Sequence, residues 1–141
     1  MQPPISSSDE AREWLRRAQA DLRIARLALN DRPPLTSEAL YHCQQAVEKA
    51  LKGFLAFHDQ PIRKSHDLRE LGEQIAALDT SLREIVEAAY PLTEFASRFR
   101  YPGAPYEPDA GEASAGMMVA GRVVAAIRAK LPESASSPGA S

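Results

Sequence analysis

Apolar residues recur at spacings of three and four along most of the chain, and no stretch alternates apolar with polar for long. That rhythm predicts helices and no sheet. A first helix runs to about Asn30, with Ser8 or Asp9 as its cap. It carries Trp14, Ala18, Asp21, Leu22, Ala25 and Leu29 on one face. "NDRPP" ends it, and Thr36 or Ser37 caps a second, whose inner face is Leu40, Cys43, Val47, Ala50 or Leu51, Phe54 and Phe57. Pro61 closes that helix. "RKSHDLRELGEQIAAL" predicts a short third, with Ser65 as cap and Asp67 in its first turn. Asp79 or Thr80 opens a fourth, carrying Leu82, Ile85, Val86, Ala89, Leu92, Phe95 and Phe99. Pro91 falls inside it and should bend or divide it, because proline lacks the backbone donor. A proline-rich loop over 102–108 follows. Asp109 starts a fifth helix, with Ala113, Met117, Ala120, Val124, Ile127 and Leu131 along one seam and Pro132 as its stop. The expected fold is all-α, an antiparallel up-and-down helical bundle of four to five helices. Residues 1–10 read as a flexible arm, 11–131 as the helical domain and 132–141 as a disordered tail.

Composition narrows this little. A length of 141 residues suits one domain, and 44% hydrophobic residues can fill one core. The net charge of −2 gives no global pull toward nucleic acid or membrane, so an anion-binding surface must be local. Cys43 is the only cysteine, which excludes an internal disulfide and argues against a thiolate metal site. His42, His58 and His66 share no metal-ligand spacing, so neither a metal nor a cofactor is expected. No apolar run of membrane-spanning length stands out, and a cytoplasmic protein without membrane contact is the expectation. No nucleophile elbow, phosphate-cradling glycine loop or catalytic acid pair is present.

Local chemistry concentrates in four places. The first helix carries Arg12, Arg16, Arg17, Arg23 and Arg26 against Glu13 and Asp21, so its outer side is basic: a solvated face, or a contact for an acidic partner or phosphates. Asp21 lies on the apolar stripe, where a carboxylate is costly without a cation. It is expected to form a structural ion pair with Lys49, Lys52 or Arg100. In the second helix Gln44, Glu48 and Lys52 recur at fours, either as a surface ladder or as a stripe that packs on a symmetry mate or lines a shallow site. His66 follows Arg63, Lys64 and Ser65 at a helix start: either a cap with a hydrogen-bonded ring, or a place where free amides and three cations could hold an anion. In "SRFRYPGAPYEP", Arg98 and Arg100 flank Phe99 and precede Tyr101. They can cap the end of the fourth helix, or they can grip phosphate while a ring stacks on a base.

Four segments in this order, "WLRRAQADLRIARLAL", "YHCQQAVEKALKGFLAFHDQ", "KSHDL" and "RYPG", resemble the HEPN-domain proteins over roughly residues 11–130. The resemblance implies a small all-α bundle that is usually a homodimer. Many relatives are encoded beside a minimal nucleotidyltransferase and act as toxin-like halves of such pairs. Others bind nucleotides, and many are metal-independent ribonucleases whose motif is Arg, four to six residues, then His. This chain departs from that motif. The positions that would hold the histidine are Gly103, Ala104 and Pro105 counted from Arg98, and Pro105, Tyr106 and Glu107 counted from Arg100. The usual acid–base group is missing.

The reading is therefore a non-catalytic domain that binds nucleotide or RNA phosphates, one half of a toxin–antitoxin-like pair with a nucleotidyltransferase-type protein. Its contact surface would comprise Lys49, Lys52, Arg63, Lys64, His66, Arg98, Arg100 and Tyr101. Two alternatives stand beside it: a metal-independent ribonuclease with a non-standard acid–base residue such as His66, and a purely structural dimerisation or interaction module.

Overall fold

The computed structural model describes residues 6–62, 64–96, 102 and 107–132. Helix α1 spans Ser7–Asn30, α2 Thr36–Phe57 and α3 Leu68–Leu78. A broken fourth segment follows: a 3₁₀ turn at Thr80–Leu82, the short helix α4 at Arg83–Glu87, and a second 3₁₀ stretch at Tyr90–Ala96. Helix α5 spans Ala110–Lys130. The fold is an all-α bundle, and the described residues contain no strand. Pro91 divides the fourth segment, as a residue without a backbone donor should.

Several helix starts are set by short polar side chains, although not always the expected ones. Ser6 Oγ accepts from Asp9 N at 3.1 Å, so α1 starts before Ser8, and residues 7–10 are helical rather than part of an arm. Asp67, not Ser65, caps α3 by accepting from Arg69 N at 3.0 Å. Asp79 opens the fourth segment, and Asp109 caps α5 through Glu112 N at 2.7 Å. Helix α2 has no side-chain cap at its first turn; Leu35 stands there, so neither Thr36 nor Ser37 serves.

The central element is α2, which packs against α1, α3, α5 and the fourth segment. Its long run from Ala46 to Ala56 is buried at every residue but Lys49, because neighbours cover it on several sides. Helix α1 approaches closely by presenting Ala11, Ala18, Ala25 and Ala28. A side chain on Gly53 would meet Trp14 Cβ at 3.1 Å, so glycine permits this contact. The core is completed by Leu15, Leu40, Leu51, Phe54, Leu71, Ile75 and Ile127. Helix α5 is long and apolar enough by composition to cross a membrane, contrary to the expectation of no such run. Its buried face of Ala113, Gly116, Ala120, Val123, Val124 and Ile127 closes this bundle and accounts for part of its apolar character, a third of the apolar window being buried.

Candidate functional site

Two buried carboxylates organise the polar chemistry of the α1–α2 pair. Asp21 on α1 is 5% exposed. Its Oδ2 accepts from Lys49 Nζ at 2.7 Å and its Oδ1 from His42 Nδ1 at 2.8 Å. Both carboxylate oxygens are therefore met, which offsets the cost of burying the charge. His42 and Lys49 lie seven residues apart, two turns of α2, and so both reach the same point on the facing helix.

Glu48 on α2 is 4% exposed. Its Oε2 accepts from Lys52 Nζ at 2.9 Å; its Oε1 accepts from Gln44 Nε2 at 3.1 Å and from His66 Nδ1 at 3.0 Å. Burial pushes the Glu48 carboxyl up, but the hydrogen bonds from Lys52, Gln44 and His66 outweigh it and hold the group below the usual carboxylate range. Gln44 Nε2 also donates to the His66 carbonyl at 3.2 Å, and Gln45 Nε2 donates to Gln44 Oε1 at 2.7 Å. Lys52 Nζ stands 5.7 Å from the Trp14 ring centroid, within cation–π reach.

The loop that carries His66 is pinned on both sides. Ser65 Oγ accepts from Asp67 N at 3.1 Å and donates to Glu70 Oε2 at 3.0 Å. Leu68 N donates to Thr93 Oγ1 at 3.1 Å, which ties the start of α3 to the fourth segment. The imidazole nevertheless remains 74% exposed. Facing a carboxylate, Nδ1 must donate, which leaves Nε2 as the ring nitrogen for a further partner.

The structure thus brings Lys52 and His66 to one carboxylate, with Lys49 on a second carboxylate nearby along α2. Lys64 is exposed on the His66 loop. Lys52 is 8% exposed and committed to Glu48, so it is a buried counter-ion rather than a surface cation. Gln44 and Glu48 form neither a surface ladder nor a stripe for a symmetry mate: Gln44 is fully buried, and the loop before α3 supplies its covering contact. Arg63, Arg98, Arg100 and Tyr101 lie outside the described residues. His42 was not expected in a network. Its placement two turns before Lys49 was the available signal.

Cys43 is buried against Met117, with Sγ and Sδ 3.8 Å apart, and burial pushes its thiol up to about 12. It is a packing residue, not a nucleophile. Among the described residues no cluster of three metal-ligating side chains occurs.

A small helical bundle built on an α1–α2 hairpin, with buried carboxylates holding cations along α2, defines the class. The chain belongs to the HEPN domain family, whose model matches residues 11–130. It is also similar to a solved structure, TT1696 from Thermus thermophilus, at 30% identity and a TM-score of 0.69. That match covers 86% of this chain and 98% of the other. No curated protein matches at a significant level.

Proposed function

We propose that this HEPN domain binds nucleotide or RNA phosphate groups at the corner formed by the His66 loop and the polar side of α2. The observation that carries the reading is the Glu48–His66 pair. A buried, ionised carboxylate fixes the ring by Nδ1 at 3.0 Å and leaves the other nitrogen available on a ring that is 74% exposed, two residues after exposed Lys64. Building such a pair requires a buried charge with three donors, more than a solvated loop histidine needs. Arg63 and Lys64 precede it in sequence, and Arg98, Arg100 and Tyr101 would supply further contacts. Guanidinium groups would grip phosphate oxygens in pairs, and the tyrosine ring would stack on a base.

The domain would act as a homodimer and as one half of a toxin–antitoxin-like pair with a nucleotidyltransferase. Helix α5 supports the first part. Met118 on it is 58% exposed, and Ala115 and Ala125 are exposed with it, leaving apolar surface for a second copy.

The test is a titration of the purified chain with a fluorescent adenine nucleotide and with a short RNA. His66→Ala and the pair Arg98→Ala/Arg100→Ala should each weaken binding by about tenfold or more, with helix content intact. Unchanged curves for both would remove the site.

The same pair favours one second reading. An imidazole oriented by a carboxylate with its far nitrogen outward is the geometry of a general base, so His66 could serve a metal-independent ribonuclease. Cleavage of structured RNA in chelator, abolished by His66→Ala, would select this reading over simple binding.

A further inference from the structure

The outer face of α1 takes no part in the site above. Leu27 is 64% exposed and Ile24, one turn back, is 44% exposed. Leu35, 43% exposed, stands beside the last turn of α1 because its N–H donates to the Ala28 carbonyl at 2.9 Å. Among the described residues these are three of the five exposed large apolar side chains, two on one turn of α1 and the third on the loop bonded back to that helix. Arg23, one turn before Leu27, and Arg26, next to it in sequence, are exposed on the same helix. Every basic residue of α1 is arginine. Lysine serves a solvated face equally well, whereas arginine is weakly hydrated and grips carboxylates in a planar fork. Arginine is also enriched and lysine depleted in protein interfaces.

We infer that this face docks an acidic amphipathic helix of a protein partner. Leucine-like side chains of the partner would cover Leu27 and Ile24, and flanking carboxylates would meet Arg23 and Arg26. Charge decides against a second copy of this chain. A two-fold contact would set arginines against arginines, a like-charge contact that opposes association. The aliphatic side chains decide against RNA, because Ile24 and Leu27 offer a polynucleotide neither a donor nor a stacking ring. The surface is separate from the His66 corner, so the two proposals fail independently.

The test uses the full chain and a fluorescein-labelled helical peptide with leucines at i, i+3 and i+7 flanked by glutamates. The same peptide with lysine flanks and an oligouridine are the comparison probes. Saturable binding of the glutamate peptide is expected, weakened about tenfold by Ile24→Ser/Leu27→Ser. Arg23→Ala/Arg26→Ala should weaken it similarly and flatten its salt dependence. All four positions are exposed, so these variants should keep the wild-type circular dichroism. The inference is overturned by no glutamate-peptide binding up to about 1 mM, by binding that ignores all four substitutions, by equal binding of the lysine peptide, or by oligouridine binding that these variants abolish.

Discussion

Asp21 on α1 and Lys49 on α2 meet at 2.7 Å across the most extensive helix–helix contact of the bundle, with His42 on the other carboxylate oxygen. The pair fixes the register of the two helices in the middle of an otherwise apolar seam. Removing the carboxylate strands Lys49, which is a quarter exposed and can partly reach water. Asp21→Ala should therefore cost about 2 kcal/mol, below the cost of opening a fully buried pair. Urea unfolding measures it, and a variant as stable as the parent would show that the pair contributes nothing.

Glu48 predicts a pH dependence. Its folded pKa lies below the ordinary 4.5, so the unfolded chain takes up the proton first as pH falls. The contribution is present in full above the unfolded value and is lost as pH drops through the folded one. Glu48→Gln should cost about 3 kcal/mol at neutral pH, because Lys52 keeps a buried charge. It should also be relatively less destabilising in acid, with a shallower acid limb. Parallel limbs for parent and variant from pH 6 down to about pH 3 would contradict the assignment.

Two glycines make opposite predictions from one substitution. A side chain on Gly72 would collide with the Tyr90 ring and Val86, whereas one on Gly121 would meet nothing within 4 Å. Alanine favours a helix over glycine by about 1 kcal/mol. Gly121→Ala should raise the melting temperature, while Gly72→Ala should lower it because overpacking costs about 1–3 kcal/mol. Thermal melts of the two variants separate the cases. A rise in both would mean that the fourth segment yields readily around Tyr90.

Most of this fold was legible in the hydrophobic rhythm, because each helix buries one stripe and short polar residues mark its start. Asp79 and Asp109 cap as read, and Pro91 divides its helix. Ser6 and Asp67 replaced the expected caps because several adjacent side chains were chemically equivalent, and only the local backbone chooses between them. A carboxylate on an apolar stripe announced that Asp21 needed a cation, and the choice of Lys49 follows from the α1–α2 register. Glu48 and His66 were not legible as partners. They stand 18 residues apart on a helix and a loop, and the repeat at fours gives no sign that a loop folds over it. Lys52, an expected surface cation, is instead buried, paired with Glu48 and 5.7 Å from the Trp14 ring on α1.

In the proposed complex an outward-facing imidazole, held from behind by Glu48, meets phosphate. Nitrogen-15 spectra of the histidine side chains during titration with adenosine triphosphate and with a short RNA test it most directly. The His66 Nε2 resonance should move with saturation while those of His42 and His58 stay in place. Saturable binding that leaves His66 unmoved would contradict it.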